Sequence, residues 1–520
     1  MNNNHNKQPS LSKSRYCSGM QCPKILWMTR NMPEKFDDSV MNQSILDTGN
    51  VVGDLAMGYF GKFTEVEFTK DKSKMVKETE KLMDAGTEVI TEAAFEYNGD
   101  LCIVDILRAV PGGYELIEVK SSSGSPGDTA KDVKDVYLHD MSFQAYILSN
   151  SLKTRGLSIK SVKLMCLNRN YVRKDKLDIS KLFVFIDCTE KIFEMKEEVP
   201  KNIEAFKAFM VQENEPVVDI GDRCGKPYEC GYKSWCFRGL PVENNIFQIG
   251  WSIRAKKVDQ AYKDKIHSFD DVLKAYNDGR LKLNEKQLRQ VNFALNDMEP
   301  HIDKAGINKF LSLVRYPLYF LDFETFQPAI PPWDNTSPFK QITFQYSLHI
   351  QKTRGGEVTH KEFLGRDGLD PRRELAERLC ADIPADACVV SYNMSFEKTR
   401  IKQMSELFPE LSIHLMSINA NMIDLMDPFS SGAYYTRELG GGYSIKKVLP
   451  AMLSGDPELD YKSLDERVQH GGNAMDIYPI MHLQPPEEAE AIRKALLAYC
   501  RLDTLAMVKI LEKLYELVDE

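Results

Sequence analysis

The sequence has no run of about 18 or more apolar residues, the length that a membrane-spanning helix needs. Its opening residues, MNNNHNKQPSLSKSRYC, lack the apolar core of a secretory signal. An excess of positive charge is also missing: 67 Lys and Arg stand against 76 Asp and Glu, a net charge of −9. That excludes a surface coated in cations, but a local basic groove is all that nucleic-acid binding requires. There is no internal repeat and no long low-complexity segment. Cysteine is too sparse for a small disulfide scaffold, at 11 in 520 residues. These absences lead us to expect a cytoplasmic protein that meets no membrane, and cysteines that cluster then call for a metal.

What is present is an ordinary globular composition, 43% hydrophobic and 28% charged. The chain is long enough to bury more than one sizeable core. Residues 1–240 form a first block. There LCIVDILRAV and YELIEVK flank Pro111, Gly112 and Gly113, which predicts a hairpin. VYLHDMSFQAYILSN predicts a helix, and KSVKLMCLNRNYV and LFVFIDCTE predict further strands. Residues 241–312 are charged and helical in pattern and read as a connector. Residues 313–520 alternate strands and helices: a meander through YPLYFLDFET, QITFQYSLHIQ and KEFLG, a short apolar strand ACVVSYN, and a long C-terminal helix. The expected class is α/β throughout.

Chemistry concentrates in three places. In the first hairpin, Glu118 and Lys120 share a face because strand side chains alternate, and Asp105 sits on the partner strand. Two carboxylates and a lysine fit a phosphodiester hydrolase that uses Mg²⁺ or Mn²⁺. The acids offer oxygen ligands, the cation lowers the pKa of a water, and the lysine offsets charge in the transition state. An exposed Glu–Lys cross-pair is the plain alternative. The second place is YFLDFETFQ, where Asp322 and Glu324 point the same way and repel unless a cation lies between them. Downstream come Asn393 and Glu397 in VVSYNMSFEKTRI, then Tyr499 and Asp503, which are four apart and so share a helix face. The third is RCGKPYECGYKSWCF, with Cys224, Cys230 and Cys236 at intervals of six, together with Cys22 near the N-terminus. Four thiolates suit Zn²⁺ or an iron–sulfur cluster. Cys17 competes with Cys22, and the Cys-Pro-Lys context favours Cys22.

The D…ExK pattern, followed by Gln144 and Tyr146 on the next helical stretch, resembles the RecB-like branch of the PD-(D/E)xK nucleases. The resemblance implies that Asp105 and Glu118 hold metal, that Lys120 is catalytic, and that Gln144 and Tyr146 support the site and DNA. Such nucleases carry a further His or Glu upstream. DTGNVVGDLAMGYF occupies that place without a histidine; its acid Asp54 is the first candidate, and Glu92 is another. One cysteine before this core and three after it resembles the relatives that carry a [4Fe–4S] cluster. The trio is spaced more widely than in several of them, which keeps Zn²⁺ as the alternative.

The D-x-E, N-x-x-x-E and Y-x-x-x-D segments resemble the DnaQ-like exonucleases of the DEDDy subclass, which have an RNase H-like fold. Carried over, Asp322, Glu324, Glu397 and Asp503 bind divalent cations, Tyr499 positions the attacking water and Asn393 meets nucleic acid. The family has Asp where this chain has Glu397, one methylene longer. Asp424 and the glycines and lysines of GGGYSIKKVLPAML are further candidates, the latter for phosphate at a helix N-terminus. The whole chain resembles a bacterial family that joins a RecB-like half to such an exonuclease half. The expectation is therefore a PD-(D/E)xK restriction-endonuclease-like domain over 1–240 and an RNase H-like domain with a mixed sheet over 313–520. Their expected work is metal-dependent hydrolysis of DNA, with RNA left open, in repair or defence against foreign DNA. Two alternatives stand: one active site beside a nucleic-acid-binding module, or a metal-stapled scaffold with no activity.

Overall fold

The α/β pattern is realised as two mixed sheets, one in each of two units. The computed structural model describes residues 9–251 and 253–519. The first unit comprises Met1–Gly239 with Pro328–Phe339, and the second comprises Leu240–Gln327 with Lys340–Glu520. Among the described residues, no helix is long and apolar enough to cross a membrane.

In the first unit, helices α1 (Lys13–Gln21), α2 (Pro23–Asn31), α3 (Gln43–Met57) and α4 (Lys72–Asp84) accompany a six-stranded sheet. Its strands are β1 (Thr64–Glu65), β2 (Val89–Tyr97), β3 (Asp100–Val110), β4 (Gly113–Gly124), β5 (Ser158–Asn168) and β6 (Phe183–Asp187), lying side by side in chain order. The β1–β2 and β4–β5 pairs are parallel and the other three antiparallel. The expected hairpin is β3–β4, closing with Val110 opposite Gly113. Gly112 takes φ 79°, a conformation that side chains disfavour. A Cβ on Gly113 would lie 1.9 Å from the Ser158 carbonyl oxygen, so the turn tolerates no side chain against β5. Helix α5 (Asp135–Lys153) crosses the sheet, burying Met141, Phe143, Ile147 and Leu148 against Ile90, Val104 and Leu116.

In the second unit, β8 (Leu318–Phe326), β9 (Ile342–Gln351), β10 (Val358–Leu364), β11 (Cys388–Ser391) and β12 (Met422–Asp424) form a sheet in the order β10-β9-β8-β11-β12. A separate ribbon pairs β7 (His301–Ile302) with β13 (Tyr434–Tyr435). Strand β8 is central, antiparallel to β9 and parallel to β11. It is covered on both faces, which is why it reads as a nearly continuous apolar run. Leu318 and Phe320 enter one core with Met507, Ile510 and Leu511 of the C-terminal helix Pro486–Asp519. Tyr319, Leu321 and Phe323 enter another with Val389 and Ile401. Period two then puts Asp322 and Glu324 on the C-terminal-helix face. That helix is pinned to β9 by polar contacts: Gln345 Nε2 donates to Leu496 O at 2.8 Å, and Thr504 Oγ1 lies 2.7 Å from Ser347 Oγ.

The stretch 241–312, expected as a connector, groups with the second unit. It is helical as expected, and Ile246, Val258, Phe269, Val272 and Val291 bury a core of its own. A Cβ on Gly250 would lie 1.9 Å from Gly441 O, so glycine at both positions lets the two backbones touch.

Candidate functional site

The hairpin places Asp105 on β3, and Glu118 and Lys120 on β4. Lys120 Nζ lies 2.6 Å from Glu118 Oε1 and 2.8 Å from Asp140 Oδ2. Asp105 Oδ2 accepts the Val119 N–H at 2.8 Å where the β3–β4 ladder stops. From α5, Gln144 Nε2 donates to Glu118 Oε2 at 2.6 Å and to Asp140 Oδ1 at 2.9 Å. Gln144 Oε1 is buried with no hydrogen-bond partner among the described residues. From α1, Lys13 Nζ reaches Asp105 Oδ1 at 3.0 Å and Glu118 Oε1 at 3.2 Å. Ser12 caps that helix by accepting the Arg15 N–H, which makes Lys13 its first residue.

Electrostatics sort these groups. Burial raises the Glu118 pKa, but Lys120 and Lys13 outweigh it and hold the carboxyl below its ordinary value. Asp105 is raised by burial and by the charge of Glu118. Asp140 is pushed up to about 6 for the same two reasons.

Not every expected residue joins them. Tyr146 sits two positions from Gln144, and residues so spaced on a helix do not face one another. Its ring packs edge-on against Tyr97 at 5.8 Å. Of the two upstream candidates, Asp54 is exposed on α3. Glu92, with φ 53°, falls with Asp105 at the gap in the β2–β3 register between the pairs Thr91–Ile106 and Ala93–Val104. Burial and the Asp105 charge push it up to about 7.

Cys22, Cys224, Cys230 and Cys236 line one cavity, together with Lys24 and Tyr232. Cys22 ends α1, and Gln21 Nε2 ties that end to the cysteine loop by donating to Arg223 O at 2.9 Å and Tyr228 O at 2.8 Å. Burial pushes the Cys230 thiol up to about 11. Cys17 lies elsewhere, its Sγ 3.7 Å from Val136 O. The four-thiol set could hold a cation that prefers sulfur.

In the second unit, oxygens of Asp322, Glu324 and Asp503 lie within 4.8 Å of one another. They border a cavity of about 240 Å³, which Asn393, Glu397, Lys446 and Tyr499 also line. Asp322 stands well above its ordinary pKa, through burial and then the charges of Asp503, Glu324 and Glu397. Burial and Asp503 push Glu324 up to about 8. Glu397 is also pushed up to about 8, mainly by burial, and its Oε2 has no hydrogen-bond partner among the described residues. Asp503 is pushed up to about 6 by burial. Its Oδ1 accepts the Tyr461 hydroxyl. Burial and these acids raise Tyr461 and Tyr499, so both phenols stay protonated. Lys446 Nζ lies 5.0 Å from the Tyr461 ring and 4.9 Å from the Tyr499 ring. Among the described residues none of the four acids makes an ion pair.

Asp424 has a different task. Its carboxylate accepts the N–H groups of Asn393 at 2.9 Å, Met394 at 3.1 Å and Met426 at 3.0 Å. It thereby orders the turn in which Asn393 takes φ 66°, and that turn starts the helix Ser395–Leu407 carrying Glu397. Sequence reasoning missed Lys13, Asp140 and Tyr461. Asp140 carried a signal, since it precedes Gln144 by four and shares its helix face. Lys13 and Tyr461 carried none, because distant chain segments bring them in.

A family model described as "Domain of unknown function (DUF2779)" matches residues 319–444. The chain is 29% identical over 295 residues to "Uncharacterized protein MG366 homolog" of Mycoplasma pneumoniae, covering 51% of this chain and 44% of that protein. It is 27% identical over 302 residues to "Uncharacterized protein MG366" of Mycoplasma genitalium, covering 53% and 44%. It is 30% identical over 238 residues to "Uncharacterized protein UU173" of Ureaplasma parvum serovar 3, covering 42% and 34%. The chain thus spans less than half the length of these curated relatives. No solved structure matches it.

Proposed function

We propose that this chain is a cytoplasmic, metal-dependent nuclease, with a DnaQ-like exonuclease centre in its second unit and a RecB-like centre in its first. One observation carries the reading: Asp322, Glu324 and Asp503 converge from a strand and a helix far apart in sequence, with no ion pair to any of them among the described residues. Buried like charges so arranged cost stability unless a cation joins them. The donor set is all oxygen, which suits Mg²⁺ or Mn²⁺ rather than a soft metal. Asp322, Glu324 and Asp503 would hold the cation, with the orphaned Glu397 oxygen beside them. Bound there, a divalent cation supplies Lewis acidity to the phosphate and lowers the pKa of a coordinated water. Tyr499 keeps its proton and orients that water by hydrogen bonding. Lys446 supplies positive charge at the cavity wall for a phosphate oxygen, and Asn393, exposed at the rim, is placed to meet nucleic acid.

In the first unit, Asp105 and Glu118 are the cation ligands and Glu92 the upstream acid. Lys120 offsets charge at the phosphate, and Gln144 fixes Glu118. A second reading draws on a specific observation here. Lys13 and Lys120 already balance two of the three carboxylates, which favours an active second unit beside a first unit that binds nucleic acid.

The four cysteines line one cavity and offer four sulfur donors, which fits an iron–sulfur cluster, with Zn²⁺ as the alternative. Anaerobically prepared protein is expected to show visible charge-transfer absorption and to contain iron. Cys230→Ser should lose both and melt several degrees lower, and a colourless, zinc-loaded wild type would sink the iron–sulfur assignment.

The activity test uses end-labelled single- and double-stranded DNA and RNA in Mn²⁺, with wild type, Glu118→Gln and Asp322→Asn. Two product ladders, each removed by a different substitution, are expected for two working centres. One ladder removed only by Asp322→Asn would establish the second reading. No cleavage of any substrate by wild type would end the nuclease proposal.

A further inference from the structure

The two acidic centres differ in one respect that their motifs do not reveal. In the second unit, four carboxylates line the cavity and no ammonium touches them among the described residues. In the first, three carboxylates meet two ammonium groups, and the ammonium groups stand in different places. Lys120 bridges Glu118 and Asp140, to one side of Asp105. Lys13 Nζ lies between the two proposed cation ligands, 3.0 Å from Asp105 Oδ1 and 3.2 and 3.4 Å from the two Glu118 oxygens. A divalent cation coordinates carboxylate oxygens at about 2.0–2.6 Å. One that joined Asp105 to Glu118 would need the space that Lys13 Nζ takes, and would repel it.

We propose that Lys13 is an internal cation that fills the divalent-cation position of the first centre and must swing out before that centre loads. The inference rests on the reading of Asp105 and Glu118 as cation ligands. Lys13 is a positioning residue in this scheme: it holds the two carboxylates together in the cation-free protein. Its location permits release. It is the first residue of α1, and its side chain is 27% exposed against 0% for Glu118. The swing therefore moves one flexible side chain into water and leaves the core intact. Because, among the described residues, a lysine is ion-paired to the proposed ligands at the first centre and Lys446 only lines the wall of the second, the two centres of one chain fill at different cation concentrations. The second fills first.

Mn²⁺ binding to the full chain, followed by the electron paramagnetic resonance of free Mn²⁺, tests this. Wild type should show two classes of site separated by at least tenfold in affinity. Asp503→Asn should remove the tighter class and Glu118→Gln the weaker. In the Asp322→Asn/Asp503→Asn background, Lys13→Gln should tighten the remaining class at least tenfold, while Lys13→Arg, which keeps the charge, should leave it weak. If Lys13→Gln binds no tighter although Glu118→Gln still abolishes that class, the proposal falls and the ligand reading stands. If the remaining class ignores Glu118→Gln, or no such class exists, the ligand reading itself falls. Should Lys13→Gln fail to fold, the wild-type titration decides: loss of the tighter class in Glu118→Gln instead of Asp503→Asn overturns the proposal.

Discussion

If the second unit is the metal-dependent nuclease proposed above, Asp503→Asn will lower its hydrolysis by roughly a thousandfold, about 4 kcal/mol of transition-state stabilisation. Asn keeps the shape of the side chain and can still accept from Tyr461, so the C-terminal helix should stay in place. What it loses is one of the three carboxylates whose oxygens lie within 4.8 Å of one another. With Asp503 neutral, the cation's charge is matched only by Asp322, Glu324 and the more distant Glu397. The measurement is kcat/KM on an end-labelled single strand at saturating Mn²⁺. Tyr499→Phe, which removes only the hydroxyl proposed to orient the water, should cost less, about tenfold to a hundredfold. A loss below tenfold in Asp503→Asn would show that the convergence of the three acids does not serve catalysis.

The same cluster makes the protein's stability depend on pH in a direction opposite to that of most carboxylates. Glu324 and Glu397 are pushed up to about 8 and Asp503 to about 6, while unfolded carboxyls titrate near 4. The folded state therefore holds protons that the unfolded state has released. The contribution of these groups is present in full below about pH 4 and is lost as pH rises through 6 to 8. In EDTA the second unit should be less stable at pH 8 than at pH 5. Divalent cations bind the ionised acids, so Mn²⁺ should restore most of that loss at pH 8 and do little at pH 5. Melting curves at both pH values, with EDTA or Mn²⁺, give the answer directly. In EDTA at pH 8, Asp503→Asn should melt above wild type, because it removes one of the repelling charges. An inactive variant that is more stable without cation is the expected mark of acids held together for a ligand. Identical melting in EDTA and Mn²⁺ at pH 8 would count against cation binding there. Glu118 works the other way: its pKa is depressed, so its contribution holds above about pH 4 and fades in acid.

The local pattern of the chain determined much of this. Alternation in LCIVDILRAV and YELIEVK, and the Pro-Gly-Gly between them, specified the β3–β4 hairpin and put Glu118 and Lys120 on one face. The same period of two put Asp322 and Glu324 together, and a spacing of four aligned Tyr499 with Asp503. Such relations span a few residues, and strand or helix geometry alone sets them. The tertiary structure decided which groups meet across long stretches of chain. It chose Cys22 over Cys17 and turned Gln144 inward and Tyr146 aside. It set Glu92 rather than Asp54 at the register gap with Asp105, made Asp424 a cap for the Asn393 turn, and drew 241–312 into the second unit. Above all it put Lys13 between Asp105 and Glu118. No periodicity encodes these contacts, because each depends on how whole helices and sheets pack to bury their apolar faces. The sequence states which charges exist, and only packing determines which of them are left without a partner.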